Sequence, residues 1–432
     1  MNARIAIVAA LVLSSGGCAL RGSSTLPAGG VASPAMTARH SARLARVCPD
    51  TPPGFSHCDS WMRTDVLGGR AGAYHGSDLA RARRLSAASF EGYGPADFQA
   101  AYEMPSKTAG TGQTVAIVDA YDDKTAAADL ATYRSDFNLS ACTKANGCLR
   151  IVNQKGQSSP LPAVDASGEW TFETSLDLDM ISALCPNCRI LLVEATSDAN
   201  ANLAASVVTA VKLGASVVSN SYGGPEYEAS DPSYTFPGKA ILTVSAGDYD
   251  LNPQTPASLS TVVAVGGTRL VKGGGGKRGW SESVWNDPAD GVGTASGCSN
   301  WVGKPAWQKD KGCATRASND IAASADCSYY ALIYDGSPYN GKRLGWTGAC
   351  GTSESSPLVA AAYALAGNAK SVSKTYAESI YEHGGTRALY DVVVGNNWYG
   401  APCPKVILYI CTAEKGYDGP TGMGTPLGVA AL

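Results

Sequence analysis

Histidine is nearly absent from this chain. Its 432 residues hold four, His40, His57, His75 and His383. None stands in a His-Gly-Thr or His-Gly-His setting, so a serine served by an imidazole base has no evident partner here. Charge is sparse as well. Asp, Glu, Lys and Arg together make up 16% of residues and the net charge is −3, which gives no electrostatic ground for binding nucleic acid. Long apolar runs are missing too. The stretch from Ile5 to Leu13 is too short to span a bilayer, and no later segment is apolar enough to cross one. No internal repeat is visible. Gly273 to Gly276 with Lys277 resembles a phosphate loop, but Arg278 replaces the Ser or Thr that such a loop needs. That segment reads as a hairpin tip.

What is present points to an exported α/β protein. Hydrophobic residues make up 44% and glycines number 49, enough for one large, loop-rich domain and a leader. Met1 to Ala19 reads as a secretory signal, with Arg4, an apolar core and then small residues. Ser15-Gly16-Gly17-Cys18 approximates a lipobox with Ser where Leu is usual. Cys18 is therefore a candidate lipid anchor, against ordinary cleavage nearby. The other twelve cysteines are even in number, as an oxidising compartment and up to six disulfides would give. They fall into neighbours, 48/58, 142/148, 185/188, 298/313, 327/350 and 403/411, and proximity suggests that pairing. Cys185-Pro186-Asn187-Cys188 is read as a local disulfide, because no second CxxC or His cluster supports zinc.

Residues 20–45 have the Gly, Ser, Ala and Pro content of a disordered segment, and 20–92 reads as a leader or short pro-segment. The folded domain is expected over 93–432, opening at Tyr93-Gly94-Pro95. Proteolysis at the basic stretch Arg81 to Arg84 would start the mature domain between Leu85 and Tyr93. Beyond it, β-rich runs (114–119, 189–193, 215–219, 241–245, 261–265) alternate with helical patterns. That alternation implies a parallel sheet, with sites at the carboxyl ends of its strands. Asp119 and Asp248 both sit just past a strand.

Two features carry chemistry. Gly351-Thr352-Ser353-Glu354-Ser355-Ser356-Pro357 leads into a helix of small residues. It places Ser353 at a helix N-terminus, where backbone N–H groups face a developing anion. An ordinary capping serine would look the same in isolation. The segment Trp170 to Leu184 lacks Pro and Gly. On a helical wheel Glu173, Asp177, Met180 and Leu184 share one stripe, so two carboxylates lie on an apolar face. Burial side by side forces one pKa upward, which suits a general base working in acid. Asp179 is expected to point away into solvent. Ser245-Ala246-Gly247-Asp248 offers a third acid which, protonated, could donate to an oxyanion.

Taken in order, these motifs resemble the sedolisins, the serine-carboxyl peptidases. The resemblance rests on the Glu-x-x-x-Asp pair followed by Cys-Pro-Asn and Leu-Val-Glu, on Ser-Ala-Gly-Asp, on Gly-Thr-Ser-Glu-Ser-Ser-Pro and on Gly-Tyr-Asp-Gly-Pro-Thr-Gly-Met-Gly-Thr-Pro. It covers most of 93–432. It implies a subtilisin-like three-layer α/β fold with a central, mostly parallel sheet. It also implies Ser353 as nucleophile, Glu173 as its base, Asp177 orienting Glu173, and Asp248 as oxyanion donor. Asp119 ranks below these four, as a member of an extended carboxylate network or a relic. One structural Ca²⁺ is implied near the C-terminus, held by the carboxylates of Asp391 and Asp418 and the carbonyls of Val392, Glu414 and Gly416. The expected partners are polypeptide substrates, and the chain is taken as a secreted or extracytoplasmic monomer. Departures are Glu354 and Tyr249-Asp250, where the family prefers small residues, and a leader shorter than the family's prodomain. Two rivals compete. A non-catalytic polypeptide binder of the same fold predicts a substitution among the four key residues, and none is seen. A serine esterase would want Gly-x-Ser-x-Gly and a downstream His.

Overall fold

The structure is a computed structural model that describes residues 44–66, 91–227, 240–249, 251–274, 276–369, 376–399 and 403–432. The signal, Cys18 and Arg81–Arg84 lie outside the described residues.

A sheet of eight strands forms the centre. In chain order the elements are β1 (Leu44–Arg46), β2 (His57–Cys58), β3 (Trp61–Arg63), α1 (Pro95–Ala101), β4 (Thr114–Ala120), α2 (Ala126–Asp136), β5 (Leu149–Asn153), α3 (Glu169–Leu184), β6 (Arg189–Ala195), α4 (Asn200–Lys212), β7 (Val217–Asn220), β8 (Tyr222–Pro225), β9 (Ile241–Ser245), β10 (Gln254–Thr255), β11 (Val263–Lys272), β12 (Trp280–Val284), β13 (Ile321–Ser324), β14 (Ala331–Tyr339), β15 (Lys342–Cys350) and α5 (Thr352–Ala366). The central sheet runs β12-β11-β9-β7-β4-β6-β5, with β13 also on β11. All its pairings are parallel except β11–β12. The central strands read as unbroken apolar runs, such as Val115 to Val118, because helices cover both faces. The β11–β12 hairpin turns between Lys272 and Trp280, which face each other across it, as the glycine-rich segment suggested.

Helices α3 and α5 pack on each other and on the sheet, and β14 covers α3 from outside. Gly168 precedes α3 at φ +80°, and a Cβ there would lie 2.1 Å from the Pro338 carbonyl oxygen, so only glycine fits. Trp170 to Leu184 is buried on every side. This corrects one expectation. Asp179 is not solvated; it is 1% exposed and accepts the Tyr334 N–H at 2.9 Å. Helical periodicity gives direction but cannot reveal that β14 lies over the far face.

All six neighbouring cysteine pairs are disulfide-bonded. Residues 44–66 of the leader fold onto the body. β3 pairs with β15 and with β1, and β2 pairs with β8. Among the described residues no helix is long and apolar enough to cross a membrane.

Candidate active site

The site forms where β4, β7 and β9 end, at the carboxyl edge of the sheet, under the N-terminus of α5. Gly351, at φ +109°, delivers the chain into α5. A Cβ there would lie 2.4 Å from the Asp59 carbonyl oxygen and 2.6 Å from Asp248 Oδ2. Glycine is therefore what lets these two oxygens meet beside the helix end. The Asp248 carboxyl is fixed by Thr352, whose N–H and Oγ1 both donate to Oδ1 at 2.8 Å. Its Oδ2 is buried without a partner. Burial first, then the nearby Asp59 carboxyl, holds Asp248 well above the usual carboxylate range, so it favours the protonated form that can donate.

Ser353 is fully buried. Its N–H donates to the Asp59 carbonyl at 3.0 Å and its Oγ to the Ser221 carbonyl at 3.1 Å. Pro357 has no N–H to offer the Ser353 carbonyl four residues earlier, which leaves that carbonyl outside the helix ladder. The carboxylates of α3 come from the other side. Both Glu173 oxygens are buried with no partner in bonding geometry, although the hydroxyls of Ser60 and Ser353 face it and favour its charged form. Burial and the adjacent Asp119 push Glu173 well upward. Asp177 is raised for the same two reasons and also by Glu173. It accepts the Ser221 hydroxyl at 2.6 Å. Asp119, at the end of β4, is buried with both oxygens unpartnered, and burial pushes it to about 7.

Ser353, Glu173, Asp177 and Asp248 are thus brought together, and Asp119 joins Glu173 and Asp177. Sequence reasoning missed Ser221, Thr352 and Asp59. The first two had a signal: Ser221 directly follows a strand, and Thr352 adjoins the serine. Asp59 had none, because nothing local ties it to α5.

A subtilase family profile matches residues 151–381. The chain belongs to the subtilase family. Kumamolisin from Bacillus sp. (strain MN-32) is 29% identical to this subtilase over 383 residues, 81% of this chain and 64% of the relative. Sedolisin from Pseudomonas sp. (strain 101) is 29% identical over 391 residues, 81% of this chain and 62% of the relative. The subtilase therefore spans less than two thirds of the length of either. The solved structure of Pseudomonas sedolisin, a serine-carboxyl proteinase complexed with two molecules of pseudo-iodotyrostatin, superposes with a TM-score of 0.64 at 26% identity. It covers 78% of this chain and 95% of that one. The resemblance to the sedolisins and the subtilisin-like fold both hold.

Four of the five expected cation residues of this subtilase, Asp391, Glu414, Gly416 and Asp418, lie together near the C-terminus. Asp391 Oδ2 accepts the Gly416 N–H at 3.0 Å, and Asp418 accepts from Thr421 N at 2.9 Å and Glu414 N at 3.2 Å. Asp418 is 1% exposed, and burial pushes it to about 8, with Asp391 adding to the rise. Among the described residues no group of three His, Cys, Asp or Glu forms a metal cluster. Two carboxylates and backbone carbonyls are nonetheless the hard-oxygen donors that calcium takes, and a buried acid that forms no ion pair among the described residues fits a cation.

Proposed function

We propose that this subtilase is an exported serine-carboxyl endopeptidase that hydrolyses polypeptides in acid. One observation carries the reading. A serine N–H at a helix N-terminus donates to a carbonyl oxygen, a buried carboxyl of raised pKa lies beside the same helix end, and a glutamate with no partner in bonding geometry faces the serine hydroxyl. Ser353 Oγ attacks the peptide carbonyl, and Glu173 takes its proton and returns it to the leaving amine. Asp177 and Asp119 set the charge around Glu173, and Ser221 fixes Asp177. The Ser353 N–H and protonated Asp248 stabilise the oxyanion.

The pH–rate profile tests this assignment. Asp248 must hold its proton while Glu173 must accept one, so activity should peak below neutrality and fall as Asp248 ionises. Solvent reaching the site with substrate lowers the Glu173 pKa, because burial is the largest cause of its rise. Glu173→Gln should cost at least 10³-fold in kcat, and Asp248→Asn on the order of 10²-fold with loss of the alkaline limb. A peak at pH 8 or above that both variants leave unchanged would refute the roles.

A structural Ca²⁺ belongs to the same reading. Asp391 and Asp418 would hold it with the carbonyls of Val392, Glu414 and Gly416, and bound there it neutralises the buried Asp418 and its half-buried neighbour Asp391. An ion bound only by the folded state stabilises that state by mass action. Chelator should therefore lower the Tm of the wild type, and Asp418→Ala should lower it and remove the chelator effect. An unchanged melting temperature with no calcium by metal analysis would eliminate the site.

A further inference from the structure

One aromatic cleft plays no part in the proposed hydrolysis. The strands Cys298–Gly303 and Thr315–Ala317 pair antiparallel, and the loop between them carries Trp307, Lys309, Asp310 and Lys311. Cys298–Cys313 ties that loop to its own stem, and Cys403–Cys411 closes a second loop. The two loops meet at Gly312, where a Cβ would lie 2.5 Å from Ile407 Cγ2 and 2.6 Å from Tyr409 Cε1. Both line a cavity of about 420 Å³, together with Tyr381 of α6 (Tyr376–Glu382) and with Glu414 and Tyr417. That is the size of a small-molecule site. None of these lining residues belongs to the site around Ser353.

Four rings stand in series along the cavity. Ring centres are 4.7 Å apart between Trp307 and Tyr381, 5.8 Å between Tyr381 and Tyr417, and 6.2 Å between Tyr417 and Tyr409. The tyrosine hydroxyls are engaged within the protein. Tyr381 donates to Asp320 at 3.0 Å, Tyr417 to the Ser318 carbonyl at 3.0 Å and Tyr409 to Asp310 Oδ2 at 2.6 Å. The guanidinium of Arg316, fully buried and paired with Asp320, lies 5.2 Å from the Trp307 ring centre. The rings are therefore fixed in advance, and what they leave for a ligand is carbon. All four stay only partly buried. Apolar surface kept in water costs about 25 cal/mol per Å², which a ligand lying on the rings recovers.

The polar groups of the cavity set the ligand's charge. Lys309, Lys311 and Glu414 are exposed. The Asp310 side chain is 2% exposed; its Oδ2 accepts from Lys304 at 2.9 Å and from the Cys313 N–H at 3.2 Å, while Oδ1 is buried without a partner. A cationic ligand would meet Lys309 and Lys311. An anionic one would meet Glu414, and Asp310 is already paired with Lys304. A purely apolar ligand would strip water from all of them. The fitting ligand is uncharged, has a flat apolar face, and both donates and accepts hydrogen bonds at its edge. A pyranose ring with equatorial hydroxyls has all three properties, and rings in series suit a chain of such sugars. Among the described residues none that lines the cavity lies in a strand, so a polypeptide finds no edge to extend. We propose that this cleft binds a β-linked glucose or N-acetylglucosamine chain and so tethers the protein to a polysaccharide.

The test is binding and needs no peptidase activity. Titration calorimetry of the full-length protein with cellotetraose and with chitotetraose should show saturable binding of at least one, and the tighter of the two identifies the sugar. Trp307→Ala should weaken it about tenfold or more, and Trp307→Phe, which keeps a ring, about threefold at most. Lys309→Ala/Lys311→Ala changes exposed positions only. It should melt with the wild type and bind about threefold more weakly, and it decides the matter if Trp307→Ala does not fold. Co-sedimentation with cellulose or chitin should follow the same order. No binding of either tetraose at millimolar concentration overturns the proposal, as does binding that the Trp307 and lysine variants leave unchanged. Binding of N-acetyltyrosinamide in place of both sugars, lost in Trp307→Ala, also overturns it and makes the cleft a subsite for peptide side chains.

Discussion

Ser353→Ala is expected to remove about 10⁶ of kcat, the cost of losing a nucleophile that acts as one unit with its base. The fold should hardly notice. The Ser353 hydroxyl donates to the Ser221 carbonyl, a bond worth about 1 kcal/mol, while α5 is fixed by its buried length from Thr352 to Leu365. The expected result is an inactive protein whose melting temperature lies within about 2 °C of the wild type. Near-normal hydrolysis by a folded Ser353→Ala protein would remove Ser353 from the mechanism.

The second large effect is on stability. Thermal stability should be greatest in acid and fall as pH rises, the reverse of a protein whose carboxylates are salt-bridged. Burial is the leading cause of every rise: Asp129 goes to about 6, Asp119 to about 7 and Glu194 to about 9, with Glu173, Asp177, Asp179, Asp248 and Asp335 raised as well. Each group holds its proton more tightly folded than unfolded. Its contribution is therefore complete below the ordinary carboxylate value of about 4 and is lost as pH climbs through the folded value. Each tenfold gain in proton affinity on folding is worth about 1.4 kcal/mol, so several such groups should lower Tm by on the order of 10 °C between pH 4 and pH 9. Glu194→Gln, outside the site, should flatten the upper part of that slope. A Tm that rises over this range would contradict the burial assigned to these acids.

The sheet and the four central residues were readable in the sequence for different reasons. Strands such as Arg189–Ala195 announce themselves by apolar runs, because both their faces are covered. Ser353 and Asp248 announce themselves by invading turns, Gly-Thr-Ser and Ala-Gly-Asp, whose glycines have positive φ at 351 and 247. Glu173 and Asp177 were placed by helical period. That period gave no warning about Asp179, because a helix buried on every side has no polar face to read. Ser221 looks like any serine after a strand until Asp177 is seen on its hydroxyl at 2.6 Å. Asp59 lies in a polar, cysteine-bounded leader whose partners, Ser245 and Ser353, come from distant strands and helices. Long-range pairing of that kind leaves no local pattern.

The disulfides close short loops, spanning 3 residues at Cys185–Cys188 and 23 at the longest, Cys327–Cys350. Crosslinks this short do little to hold distant parts of the chain together, and the hydrogen-bonded sheet does that work. Their effect is local shape. A peptide must straighten over several residues to lie between β8 and β15, as Ser56–Arg63 does. The loops 142–148 and 403–411, tied at both ends by their cystines, cannot reach that extended form. Each is thereby shielded from the cleft of a neighbouring copy, so the exposed turns of such a peptidase would resist being eaten by their own kind.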